Sequence, residues 1–299
     1  MAEILQKDGT WVFDGDALRL TPGRDKNVSL FRKALGELVV PLGALAGVSF
    51  EQGKRAGRLR LRLRDGADPL LHATGGRLTE PHDPYQLIVE SDRYGVAEYV
   101  VDEVRQALLL DQVPADPVDA YLLPGPSVPL SVSAGDGTAS FDGDQVRLEW
   151  NWKTEDAKAA AGTRTLALAD IADVEWQPAV GLENGYLRFV VRNARTKTPP
   201  KYDPHCVELW GFKKDPLMAL VAAAVQARLP HPATATATAA DVQDARSRPP
   251  SASSAPAAPA EDDHDALLRR LRELGELHRA GVLTDEEFTL AKQAVLKRM

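Results

Sequence analysis

At 299 residues the chain is long enough for two or three domains of ordinary size, each burying its own core. Apolar residues make up 44% and charged residues 26%, the balance of a soluble globular protein, and a net charge of −7 disfavours phosphate backbones, so no nucleic-acid partner is expected. The longest apolar runs, such as 217–225, fall far short of the roughly 20 residues that a bilayer-spanning helix needs.

Taken from its start, the chain opens Met1-Ala2-Glu3-Ile4-Leu5-Gln6-Lys7-Asp8, without a basic run followed by an apolar one, so no secretory leader is expected. A single cysteine, Cys206, excludes an internal disulfide. A cytoplasmic location is the expectation from both.

The next segment, Gly9-Thr10-Trp11-Val12-Phe13-Asp14-Gly15-Asp16-Ala17-Leu18-Arg19-Leu20, carries the first half of an internal duplication. It returns as Gly137-Thr138-Ala139-Ser140-Phe141-Asp142-Gly143-Asp144-Gln145-Val146-Arg147-Leu148. Further on, Leu45-Ala46-Gly47-Val48-Ser49-Phe50 matches Ile171-Ala172-Asp173-Val174-Glu175-Trp176, and the run from Gly57 to Arg64 matches that from Gly185 to Arg192. Asp83-Pro84 corresponds to Asp203-Pro204. The matches keep the same order in both halves.

The repeated unit reads as β structure. Asp14-Gly15 and Asp142-Gly143 sit between apolar alternations, the pattern of a two-residue type I′ hairpin turn. Leu59-Arg60-Leu61-Arg62-Leu63 alternates strictly, so leucines face one side of a strand and arginines the other. Each half then changes to a period of about 3.6. Val96, Val100, Val104 and Leu108 predict one amphipathic helix; Leu217, Leu220, Val221, Ala224, Val225 and Leu229 predict another, capped by Asp215-Pro216.

The predicted fold class is therefore mainly β with helices (α+β). Residues 1–110 form a first copy, 111–136 a proline-rich linker, and 137–229 a second copy. Residues 230–262, rich in Ala, Pro, Ser and Thr, are expected to be a disordered tether. Residues 263–299 predict a helical hairpin: Leu267, Leu268, Leu271, Leu274 and Leu277 stripe the first helix, Gly281 ends it, and Thr284-Asp285-Glu286-Glu287 forms a capping box with Leu283 and Phe288 as staple.

Several antiparallel strands followed by a helix, in about 100 residues, resemble the pleckstrin-homology-like (PH-like) superfold, a bent sheet closed by a C-terminal helix. The segment from Leu271 to Phe288, with Gly281-Val282-Leu283-Thr284 and Glu286-Glu287-Phe288, resembles the SHOCT (short C-terminal) domain. The whole layout is similar to an uncharacterised bacterial family of duplicated PH-like domains with a SHOCT tail, a resemblance that implies no activity. Two short helices are marginal alone, so the tail is expected to self-associate through Leu267, Leu271, Leu274, Leu277, Leu283, Phe288 and Val295.

Candidate sites are few. Arg58, Arg60, Arg62 and Arg64 on one strand face would focus positive potential on an acidic ligand, against the plainer reading of a solvated sheet face; the second copy keeps only Arg188 and Arg192. Asp14, Asp16, Asp142 and Asp144 supply too few oxygens for calcium, and His205-Cys206 lacks a second pair at zinc spacing, so no metal is expected. Trp150 and Trp152 alternate with Asn151 and so share a strand face; core and hairpin packing is the plainer use, with one of them lining a ligand groove as the alternative. No phosphate loop, dinucleotide fingerprint or nucleophile elbow is present, so neither catalytic residues nor a cofactor are expected.

The expected function is non-enzymatic binding and scaffolding. Tandem modules engage a protein, peptide or membrane-surface ligand while the tail multimerises them. The alternatives are an enzyme with a site assembled between the copies, or docking of anionic lipid through the arginine strand.

Overall fold

A computed structural model describes residues 1–192 and 198–234. The described chain is mainly β, with four antiparallel sheets and a few short helices. Each copy contributes one sheet of four strands and one of three, then a helix.

In the first copy β1 (Ala2–Leu5), β2 (Gly9–Phe13), β3 (Ala17–Pro22) and β4 (Leu38–Pro41) form a meander in sequence order. A short helix α1 (Leu30–Leu35) lies between β3 and β4, capped where Ser29 accepts the Arg32 amide. The second sheet holds β5 (Leu45–Glu51), β6 (Ala56–Leu63) and β7 (Gln86–Glu90), with α2 (Pro69–Thr74) between the last two. Helix α3 (Tyr94–Leu110) closes the copy and buries Ala97, Val100, Val101 and Val104, the face that the sequence periodicity marks.

The second copy repeats the plan: β8 (Leu130–Ala134), β9 (Gly137–Phe141), β10 (Gln145–Trp150) and β11 (Arg164–Ala167), with the short α4 (Asp156–Ala159) inside it. Then come β12 (Ile171–Gln177), β13 (Gly185–Val191), β14 (Cys206–Leu209) and α5 (Met218–Gln226). The register repeats as well. Leu45 opposes Leu63 and Ile171 opposes Val191, and in both pairs the ladder slips immediately afterwards, between Leu45 and Gly47 and between Ile171 and Asp173. Strand alternation holds where it was read: Leu59, Leu61 and Leu63 are buried and the arginines between them face out.

Three sequence expectations need correction. The Asp-Gly connections are not two-residue type I′ turns, because Phe13 opposes Leu18 and the connection spans four residues with positive φ only at Gly15. Asp14 instead accepts the Asp16 and Ala17 amides, as Asp142 accepts those of Asp144 and Gln145, and these bonds hold both carboxyls below the usual carboxylate range. The proline-rich linker ends earlier than residue 136, since β8 pairs with β9 from Leu130 opposite Phe141, as β1 pairs with β2 from Ala2 opposite Phe13. And α5 is not amphipathic: every residue from Met218 to Gln226 is buried.

The last point has a packing cause. Helix α5 lies against its own sheets on one side and against α2 of the first copy on the other, so Phe31, Leu70, Ala73 and Leu78 of the first copy belong to the second copy's core. A helix apolar all round is central, not peripheral. Asp215 does not cap it; its Oδ2 turns back to accept the amides of Trp210, Gly211 and Phe212 at 2.8–3.0 Å. The linker reinforces the junction. Leu123 is buried in the first core, and Gly125 lies so close to α5 that a Cβ there would collide with the Ala227 side chain.

Candidate functional site

The duplication makes it possible to separate shared structural devices from features that a single copy adds. Asp8 accepts from Arg32 at 2.7 Å and from the Ile88 amide at 3.3 Å. Asp136, at the equivalent place, accepts from Lys158 at 2.5 Å and from the Glu208 amide at 2.8 Å. Each cluster joins the start of β2 or β9 to a strand of the other sheet, so the two sheets of a copy are clamped together by one carboxylate. Lys158 is fully buried, over the Trp150 ring at 4.6 Å. Burial pushes the Asp136 carboxyl up, and Lys158 opposes that rise.

The four strand arginines also have structural partners. Arg58 pairs with Glu80 at 3.1 Å, Arg60 donates to Gln86 at 3.2 Å, and Arg62 donates to the Ala46 carbonyl. Arg64 reaches the carbonyls of Gly43 and Asp116. The two positions kept as arginine in the second copy do comparable work there: Arg188 pairs with Asp203 at 3.1 Å, and Arg192 donates to the Ala169 carbonyl. Of the four arginines on β6, Arg58 meets a carboxylate, and Arg60, Arg62 and Arg64 meet neutral oxygens.

The remaining sequence candidates are dispersed. Among the described residues no three His, Cys, Asp or Glu side chains gather as a metal site would require. Cys206 is buried and its thiol is pushed far up by desolvation, which makes it unreactive; burial lowers His205 despite Asp203 beside it. Trp150 donates to the Gly162 carbonyl and packs on Lys158, whereas Trp152 lies beyond the end of β10 and is 89% exposed. They do not share a groove. The tail residues Leu267, Leu271, Leu274, Leu277, Leu283, Phe288 and Val295 lie outside the described residues.

What the structure adds is a cleft of about 520 Å³ where the copies meet, within the usual span of small-molecule sites. The first copy contributes the loop leading into α1, with Lys26 and Ser29, and the segment after α2, with Arg77, Leu78 and His82. The second contributes Trp176 at the end of β12 and the loop before α5, with Phe212, Lys213 and Asp215. The cleft exists because α2 and α5 hold the copies side by side.

The cleft is also where polar groups go unpaired. Trp176 Nε1, His82 Nδ1 and Asp215 Oδ1 are buried without a protein partner among the described residues, and all three residues line it. Burial lowers the His82 pKa, so the ring is neutral near pH 7. No pair of shifted carboxylates faces His82 across the cleft; of the lining acids, Glu80 is held by Arg58 and Asp215 by three backbone amides.

Sequence reasoning did not find this site. Its residues come from four separate segments of the chain, and the tryptophan that lines it is Trp176, not Trp150 or Trp152. The legible signal for the clamp was the Asp-Gly-Thr that opens both copies, Asp8-Gly9-Thr10 and Asp136-Gly137-Thr138.

Among the described residues no helix is long and apolar enough to cross a membrane. Residues 11–105 and 139–226 each match a family described as "Domain of unknown function (DUF4429)". No curated protein matches the chain.

Proposed function

Since the chain belongs to the DUF4429 family through both of its copies, we propose that it is a non-enzymatic binding and scaffolding protein whose ligand site is made by the pair. The observation that carries this reading is the cleft between the copies, lined from both. Ligand sites concentrate at such junctions. Four strands, then three, then a C-terminal helix in each copy support the PH-like reading of the units, in which a rigid sheet frame presents loops for recognition.

Residues 263–299, whose sequence pattern predicts a helical hairpin, supply the scaffolding half of the proposal. Self-association through its leucine stripe would raise the effective concentration of several clefts on one assembly, turning weak contacts into avid ones. Light scattering tests this half: the intact chain should exceed monomer mass, and a chain ending at Thr234 should not. Equal masses would remove the scaffold.

The binding half is tested by a thermal-shift screen of small molecules on the intact chain beside Thr79→Trp, which fills the cleft from an exposed position. Ligands that stabilise the parent and not the filled variant support the proposal. A screen in which every stabilising compound acts equally on both would refute it.

A further inference from the structure

The chemistry of the cleft narrows the class of ligand. Four cations line it, Lys26, Lys33, Arg77 and Lys213, against the carboxylates of Glu80 and Asp215, in a chain whose net charge is −7. Glu80 is paired with Arg58 at 3.1 Å, so the one lining carboxylate that offsets the cations is Asp215, whose Oδ2 accepts three amides. Of the cations, Lys33 donates to the Asp25 carbonyl, which leaves its charge uncompensated, and Lys26, Arg77 and Lys213 make no ion pair among the described residues. A surplus of uncompensated positive charge gathered around one cleft attracts anions more strongly than the same charges dispersed over the surface.

The second observation is independent of charge. Trp176 lines the cleft and is 3% exposed. Apolar surface completes the lining through Val28, Leu78, Pro178, Phe212 and Pro216. Such walls suit a flat apolar body better than a bare inorganic ion.

We infer that this cleft binds a small organic anion, an aromatic or other flat apolar body bearing a phosphate, sulfonate or carboxylate group. The acidic group meets Lys26, Arg77 and Lys213, and the body lies along the apolar walls. This inference rests on the cleft being the ligand site.

The test uses the intact chain and three probes: 8-anilinonaphthalene-1-sulfonate, which has rings and charge; N-phenyl-1-naphthylamine, which has the same rings without charge; and inorganic pyrophosphate, which has charge without rings. The sulfonate should bind one per chain and about tenfold or more tighter than either other probe. Lys26→Glu, Arg77→Glu and Lys213→Glu should each weaken it by about tenfold, Arg77→Lys should largely retain it, and Thr79→Trp should abolish it. These positions are exposed, and unchanged near-ultraviolet circular dichroism would show that the variants fold.

The outcomes separate the two claims. If the neutral amine binds as tightly as the sulfonate, the charge reversals change nothing and Thr79→Trp still abolishes binding, the anion inference is wrong and the cleft remains a ligand site. Pyrophosphate matching the sulfonate would overturn the apolar body. Binding of all probes untouched by Thr79→Trp, or no binding of the sulfonate, would sink the inference, the first of these together with the cleft itself.

Discussion

Lys158→Met tests the clamp that joins the two sheets of the second copy. Lys158 Nζ lies 2.5 Å from Asp136 Oδ2 and 3.2 Å from the Pro200 carbonyl, with both partners of the ion pair essentially inaccessible. Methionine keeps the apolar stem and its packing on Trp150 and removes the charge. Asp136 then holds a buried carboxylate with only the Glu208 amide as partner. Breaking a buried pair from one side costs about 3–5 kcal/mol. For a body of this size that corresponds to a fall in Tm of roughly 6–20 °C, at about 2–4 °C per kcal/mol.

Two controls sharpen the argument. Asp136→Asn with Lys158→Met removes both charges and should recover part of the loss, because no unpaired ion is left. The Lys158→Met penalty should also shrink as pH falls, since burial already raises the Asp136 pKa and protonation removes the stranded charge. Thermal unfolding followed by circular dichroism at pH 7.5 and pH 5 measures all three. A Tm change below about 2 °C for Lys158→Met, or a double variant less stable than the single, would refute the clamp as described.

Other consequences follow from the same geometry. Arg32→Met should cost less than Lys158→Met, because Asp8 keeps 23% of its side chain in water, and parallel denaturant titrations give the comparison. Asp68→Ala should destabilise by roughly 2–4 kcal/mol, measured by urea unfolding, since it removes the α2 cap and strands the buried Tyr85 hydroxyl that donates to it at 2.7 Å. Burial lowers the pKa values of His72, His82 and His205 below 6.5, so the folded state disfavours their protonation; their contribution is intact above pH 6.5 and is lost as pH falls through that value toward the folded pKa values. The urea midpoint should therefore drop between pH 7.5 and 5.5, and replacing the three histidines by glutamine should flatten that drop.

How much of this was legible in the sequence depends on the range of the interaction. The strand alternation of Leu59, Leu61 and Leu63 and the buried face of α3 were readable because they are local periodicities. The duplication was readable because matching residues recur in order. The turn at Asp14-Gly15 was placed correctly and typed wrongly, because its geometry is decided by a side-chain carboxylate that binds two amides and not by backbone preference alone. Helix α5 was misjudged for another reason. A partner on its second face comes from α2, about 150 residues earlier in the chain, and no local pattern encodes that neighbour, although the run Ala222-Ala223-Ala224 is compatible with close packing on all sides.

The cleft lay further out of reach. Each residue that forms it is unremarkable in its own segment, and only the junction of the copies gives Trp176 and Lys213 common ground with Lys26 and Arg77. Conversely, the arginine strand stands out in the sequence because its charges alternate along one segment, and in the structure Arg58 meets Glu80 while Arg60, Arg62 and Arg64 meet neutral oxygens.

Because every functional statement depends on the copies sharing one core through α5, the decisive measurement is differential scanning calorimetry of the intact chain beside Leu220→Ala. Residue Leu220 sits in the core that also holds Leu70 and Leu78 of the first copy, and its truncation should cost about 2–5 kcal/mol. Both copies should melt in one cooperative transition, and Leu220→Ala should lower that transition as a whole. Two separable transitions, with only the second copy moved by the substitution, would contradict a shared core and with it a permanent cleft.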